Sequence, residues 1–245
     1  MKIKEKFSTK LYYCVIYCSV TIFSILCIIP FWLLVAGSIT RESDILVNGY
    51  QLFPKEISIE AYKLIFTGNR VLKSYIISIK VTLLGTLISI LVTSMLAYTV
   101  AVKGVKYANH IAFFVFFTML FSGGVVPWYI LTTQYLKLCN SIWGLILPYT
   151  VNAWYMFLMR NFFRGIPDSI IESAKIDGAG EYRIFLRIII PLCKPVLAAV
   201  ALFTVVGHWN SYFDSMMYTN DVSLQTIQLY LKKVITDPSV AAGLG

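Results

Sequence analysis

Five long apolar runs, at about residues 12–38, 75–102, 110–133, 141–163 and 192–215, decide what this chain can fold into. Each reaches the ~20 residues that a helix needs to cross the hydrocarbon core of a bilayer. Hydrophobic residues make up 58% of the 245 and charged residues only 13%, a balance far from that of a water-soluble domain. The expectation is an all-α integral membrane protein: one domain over residues 1–245, five membrane-spanning helices, and a polar connection at about 164–190.

The first run follows a lysine-rich leader, as a secretory signal would. A signal's apolar region is typically ~7–15 residues with a small-residue cleavage site, so the longer run from Leu11 to Ile39 reads as an anchor that stays. Cys14, Cys18, Cys27, Cys139 and Cys193 are scattered without metal-ligand spacing. Cys14 and Cys18 share a helix face, but two thiols with no histidine or carboxylate at that depth read as small packing residues.

A net charge of +9 raises the question of nucleic acid, yet the lysines and arginines form no single patch with interleaved aromatics. They follow the membrane instead. Lys2, Lys4, Lys6 and Lys10 precede the first run, Lys103 and Lys106 follow the second, and Arg160, Arg164, Lys175, Arg183, Arg187 and Lys194 surround the connection between the fourth and fifth. Basic residues near span ends mark the cytoplasmic side, which places the N-terminus and this connection inside. The opposite side dilutes its basic residues with Glu42, Asp44, Glu56 and Glu60, and Lys80 is left within a span, where it reads as snorkelling.

The connection holds the densest polar sequence of the chain, from Glu172 to Pro191. Ser169 and Glu172 have capping-box spacing, which predicts a short helix starting there. Gly178 and Gly180 stop it, and helical spacing resumes from Glu181 to Pro191. Ala174, Gly178 and Ala179 keep the turn free of bulk, while Glu172, Lys175, Asp177, Arg183 and Arg187 supply orienting charge. The pattern is that of a docking element.

Glu172, Ser173 and Ala174, then Gly178, then Ile188 and Pro191, resemble the EAA signature of permease subunits of bacterial ATP-binding-cassette importers. The departures are Ser173 where that family usually carries alanine and Ile190 where it usually carries leucine. Further along, Phe121-Ser122-Gly123-Gly124 with Pro127, the string from Ser141 to Pro148, and Met159-Arg160-Asn161-Phe162-Phe163 are similar to the carbohydrate-uptake branch, among permeases of the lipoprotein-associated, aldouronate and polysaccharide-fragment type. The resemblance implies a type I importer permease, with Glu172, Ser173, Ala174, Asp177, Gly178, Ala179 and Gly180 in a coupling helix seated in a cytoplasmic ATPase. It also implies the partners: an ATPase dimer that uses ATP, a second permease (a sister chain in this branch) and an extracellular solute-binding lipoprotein. Alternating access would follow, driven by ATP binding and reset by hydrolysis. The family commonly has six spans, and this chain stops at Gly245 without a basic flank, so a sixth helix beyond it is expected.

A path for a hydrophilic solute needs polar groups facing a helix-lined cavity, since the same groups facing lipid would each cost roughly a few kcal/mol. Ser122 beside the Gly123-Gly124 break, Tyr149, Asn152 and Tyr155 at helical spacing in the fourth run, and His208, Trp209, Asn210 and Tyr212 in the outer part of the fifth are the candidates. Each also has a plainer reading: an aromatic interfacial belt for Trp209 and Tyr212, packing for His208, and helix-to-helix bonding for Asn152.

The chain has no glycine-rich phosphate loop ending in Gly-Lys-Ser/Thr, no His-Glu-x-x-His and no Gly-x-Ser-x-Gly. An enzyme is therefore not expected, nor a cofactor or metal of its own. Two other classes remain: an ion-coupled secondary transporter, for which Asp214 is the nearest approach to a midplane carboxylate, and a non-transporting scaffold that docks a soluble partner.

Overall fold

The computed structural model describes residues 7–67 and 69–237, and among these the regular elements are all helical, with one isolated bridge between Thr40 and Ile57. The lysines at 2, 4 and 6 and the tail at 241–245 lie outside the described residues. The chain divides into two compact units, Met1–Gly68 and Asn69–Gly245.

In the first unit, α1 (Phe7–Ser38) is apolar on every face, as suits a helix bathed in lipid. The sequence reads the residues after it as an open loop, but they form two short helices, α2 (Glu42–Asn48) and α3 (Glu60–Thr67). They are tied back to the end of α1: Tyr62 donates to Ser38 Oγ at 2.8 Å, and the Ser58 amide donates to the Ile39 carbonyl at 2.8 Å.

The second unit is built on α4 (Asn69–Ala101), a single unbroken helix. Ser74, Ser78, Thr82, Gly85, Thr86, Ser89 and Thr93 recur every three or four residues and are buried, whereas Leu72, Ile76, Ile79, Leu83, Leu87 and Leu91 are exposed. That is the inverse of a water-soluble helix. Small residues let neighbouring backbones approach closely where lipid and leucine are equally apolar. Against α4 pack α5 (Ala108–Leu120), α7 (Ile142–Ile146), α8 (Ala153–Arg164), α11 (Lys194–Asn210) and α13 (Ile227–Thr236). Between them lie α6 (Val125–Ile130, continued by a wide turn to Tyr135), α9 (Asp168–Ile176), α10 (Glu181–Leu192) and α12 (Phe213–Tyr218).

Among the described residues, only α1 and α4 are long and apolar enough to cross a membrane alone; three bent pairs pass that test only when each is counted as one span. The third run breaks at residues 121–124, where Gly124 has φ +82°, and its halves meet at 119°. The fourth does not keep the continuous helical spacing expected for Tyr149, Asn152 and Tyr155. It bends by 51° after Tyr149, where Thr93 of α4 donates to the Thr150 carbonyl and α8 restarts behind Asn152. The fifth run begins at an 82° turn at Cys193, and the helix before that turn, α10, lies almost wholly within the expected polar connection yet forms a bent pair with α11. Pro195 lies in the first turn of α11, the position where its missing N–H costs nothing, and its ring excludes a helix running straight through from Pro191.

Helix α13 is too short for a span and too amphipathic for a loop. It buries Ile227 and Tyr230 beside Val71, and Ser78 Oγ accepts from the Ile227 amide at 2.8 Å, satisfying a helix-start donor. A separate core of Ala97, Val100, Met156, Met159, Phe163, Ile184, Phe185, Ile189, Val196 and Val200 fills the end of the unit where α4, α8, α10 and α11 meet.

Candidate functional site

The polar segment sits against that core. Helix α9 begins one residue before the predicted cap: Asp168 follows Pro167, and no side chain caps the helix. The Ser169–Glu172 capping box is therefore not formed, because Pro167 ends the preceding turn and puts Ser169 inside the helix. A carboxylate in the first turn, Asp168, complements the helix dipole in its place.

The other end of α9 closes as the glycines predict. Gly178 has φ +75°, its amide donates to the Lys175 carbonyl at 3.0 Å, and the Ala179 amide reaches the Ala174 carbonyl at 2.9 Å. This is the Schellman closure, which requires a left-handed residue at Gly178. A Cβ there would meet nothing within 4 Å, so the glycine is held by backbone conformation alone and a partner can approach it closely. Glu172, Ser173, Asp177, Gly178 and Gly180 are exposed, while Ala174 and Ala179 are half-buried against the core. Ile176, 85% exposed, projects beside them.

Two bonded ties hold α9, one to the loop just after α4 and one, through Glu181 of α10, to α4 itself. At its start, Asp168 accepts from Lys103 Nζ at 2.5 Å. At its end, Lys175 Nζ reaches Glu181 Oε1 at 2.7 Å, and Tyr98 of α4 donates to Glu181 Oε2 at 2.7 Å. The Lys175 ammonium, with the Tyr98 hydroxyl, holds the Glu181 carboxyl below its ordinary range, and Asp168 raises the ammonium of Lys103. Arg160 and Arg164 of α8 donate to the Val100 carbonyl at 3.2 and 3.4 Å, occupying an acceptor at the end of α4. A half-open cleft of about 710 Å³ lies beneath α9, between Tyr98, Lys103, Lys106, Arg164, Glu172 and Lys175. Sequence reading missed Tyr98, Lys103, Asp168 and Glu181 as parts of this site, since Tyr98 and Glu181 are 83 positions apart.

The candidates for a solute path fall into separate groups. At the C-terminal end of α11, His208 is buried against Gly85 of α4, so close that a Cβ on Gly85 would lie 2.8 Å from Nε2. Trp209 leans on Tyr75 at 6.4 Å between ring centroids, and Lys232 lies 4.0 Å over the Tyr212 ring. Tyr149 donates to Asp214 Oδ1 at 2.6 Å, and Ser211 donates to the other carboxylate oxygen. Asp214, the nearest approach to a midplane carboxylate in the sequence, thus binds Tyr149 to the end of α11 and is 7% exposed. Asn210 is exposed.

Asn152 serves as the N-cap of α8, its Oδ1 accepting from the Tyr155 amide at 3.2 Å, and Tyr155 stacks on Phe203 of α11 at 6.1 Å. Ser122 stands apart in the turn between α5 and α6, where its hydroxyl accepts from the Gly124 amide. Among the described residues no group of three or more histidine, cysteine, aspartate or glutamate side chains is placed to hold a metal.

Residues 94–237 match the family model described as the binding-protein-dependent transport system inner membrane component. Among curated proteins, the polygalacturonan/rhamnogalacturonan transport system permease protein YtcP of Bacillus subtilis is 36% identical over 226 residues, which is 92% of this chain and 79% of that one. Protein LplC of the same organism is 40% identical over 207 residues, covering 84% and 70% respectively. Among solved structures, a bacterial ABC transporter involved in the import of the acidic polysaccharide alginate superposes with a TM-score of 0.87 at 28% identity. It covers 96% of this chain and 84% of its own.

Proposed function

We propose, because this chain belongs to the family of binding-protein-dependent transport system inner membrane components, that it forms half of the gate in an importer for a sugar or oligosaccharide, worked by a separate ATPase. The observation that carries the coupling half of this reading is the α9 elbow: an exposed acidic and glycine-bearing turn, tied at its start to Lys103 just beyond α4 and at its end, through Glu181, to Tyr98 of α4. The ATPase dimer grips Glu172 to Gly180 from the cytoplasm, so the N-terminus is cytoplasmic as well. ATP binds to that dimer and not to this chain. When its halves close, α9 moves as a rigid body, and its ties carry the displacement into α4.

A sister permease fills the second cleft of the ATPase dimer, and an extracellular solute-binding lipoprotein delivers the cargo. The names of the relatives support a carbohydrate: YtcP is named for pectic polymers, and the solved transporter imports alginate. Tyr149, Asn152, Tyr155, His208, Trp209, Asn210 and Tyr212, around the bends of α7–α8 and the end of α11, supply ring faces and hydrogen-bonding groups that suit a sugar's C–H faces and hydroxyls. Ser122, apart from these groups at the break of the third run, is a separate polar contact on the proposed path.

The test is Gly178→Val in the assembled importer reconstituted in vesicles. A β-branched residue cannot hold φ +75° cheaply, so the elbow opens. The expected result is loss of ATPase co-purification and of ATP-driven uptake, with membrane insertion intact and Gly178→Asn, which tolerates that conformation, recovering part of both. Wild-type uptake by Gly178→Val would overturn the coupling role.

A further inference from the structure

The segment after α1 carries bare apolar side chains at a depth fixed by bonds to α1 itself. Leu46 and Val47 on α2 are 79% and 81% exposed, and Tyr50 and Phe53 just beyond are 73% and 74% exposed. The chain reverses at Gly49, φ +72°, and comes back along the helix it has just left. Tyr50 lies on Gly37, where an added Cβ would sit 3.0 Å from its ring. Trp32 Nε1 donates to the Leu52 carbonyl at 2.8 Å, and the Phe53 ring meets the Trp32 ring edge-on at 6.4 Å.

Trp32 precedes the end of α1 by six residues, so Leu52 and Phe53 are held roughly 9 Å below that end. The apolar stretch Tyr12–Ser38 has 27 residues. Its length is about 40 Å against a bilayer core of about 30 Å, so a centred core ends near residue 35. Trp32 then lies just inside the boundary, in the zone where indole rings collect because one face is apolar and the N–H is wet. Here the N–H is taken by the Leu52 carbonyl, which also spares that carbonyl from facing hydrocarbon alone.

We propose that residues 46–53 dip into the bilayer at the end of α1 and seat Leu46, Val47, Tyr50 and Phe53 among lipid acyl chains and headgroups, making this hairpin a second membrane anchor. Lipid is the occupant because the patch continues the exposed apolar surface of α1, a helix long and apolar enough to span a bilayer, where Phe31 and Leu34 are 70% and 71% exposed, at the same depth. Arg41 and Glu56 pair with each other at 3.1 Å beside the Thr40–Ile57 bridge, at the upper edge of the hairpin and away from the Trp32 level.

The experiment uses the assembled importer in vesicles of phosphatidylethanolamine and phosphatidylglycerol. Nitroxides are placed singly at Val47→Cys and Phe53→Cys, with the five native cysteines replaced. Relaxation by oxygen, which concentrates in lipid, is compared with relaxation by a water-soluble nickel chelate. The expected result is strong oxygen relaxation and near-complete loss of the nickel effect at both positions, deeper at 53 than at 47. Strong nickel relaxation would place the hairpin in water, and shielding from both agents would place it under another protein subunit; either overturns the proposal. On the unaltered protein, a lipid carrying a photoactivatable headgroup-proximal diazirine should label residues 46–53 along with the end of α1. Labelling of α1 without the hairpin would count against it.

Discussion

Tyr98→Phe isolates the tie between the coupling elbow and α4. The ring is kept, with its packing on Phe185 at 5.2 Å, and only the hydroxyl that donates to Glu181 is lost. A hydrogen bond to a charged group contributes ~1.5–3 kcal/mol. The remaining Lys175–Glu181 pair is 44% and 53% exposed, so solvent screening leaves it at ~0.2–1 kcal/mol, too weak to hold alone. Taking ~2 kcal/mol for the loss, the tied arrangement falls roughly 30-fold relative to untied ones. ATPase co-purification is expected to stay at the wild-type level, because Gly178 and the exposed face of α9 are untouched. The assay is solute imported per ATP hydrolysed in reconstituted vesicles. ATP turnover should stay near wild type while uptake drops several-fold, and Tyr98→Phe added to Glu181→Ala should be little worse than Glu181→Ala alone, since both cut one link. An unchanged import-to-hydrolysis ratio in both single variants would refute the view that force travels through this bond.

The same tie has an acid limit. Glu181 has a depressed pKa in the folded protein, so its contribution is complete above the ordinary carboxylate range near pH 4.3 and is lost only as pH falls through the lower folded value. Coupling in wild type should therefore be flat from neutral pH down to about 5, and the difference between wild type and Glu181→Gln should vanish only in stronger acid, as read by thermal unfolding of the purified complex. Gly85→Ala sets a methyl 2.8 Å from His208 Nε2 and must push the ring away; overpacking of this kind costs typically ~1–3 kcal/mol, and a lowered melting temperature with reduced uptake is expected. Asp214→Asn keeps an acceptor for Tyr149, so transport should remain ATP-driven. Loss of a proton or sodium dependence in that variant would favour the ion-coupled reading instead.

What could be read from sequence follows how local each feature is. The glycine that closes α9 is legible because the left-handed turn at Gly178 involves only residues 174–179. Chain breaks are half legible: Gly123-Gly124 marks a break, but the 119° between its halves is set by packing. Asn152 shows the limit of periodicity. Its spacing from Tyr149 and Tyr155 looks helical, yet Thr93 on another helix engages the intervening Thr150 carbonyl and Asn152 becomes a cap. The Ser169 cap fails for the opposite reason, a local competitor, since Pro167 starts the helix earlier. Asp214 is legible as the nearest approach to a midplane carboxylate, but only the fold shows Tyr149 and Ser211 converging on it.

Among the crossings of the second unit, α4 alone is free of a bend, and its 33 residues make a rod of about 50 Å. A stiff rod converts small angles into travel. If the elbow at its lower end is pulled so that the rod leans by only about 5°, the far tip sweeps ~4 Å, about three-quarters of the pitch of a helix turn. Opening and shutting a passage then needs no refolding anywhere in the unit, only a pivot, and the jointed helices around it are free to flex as the rod swings.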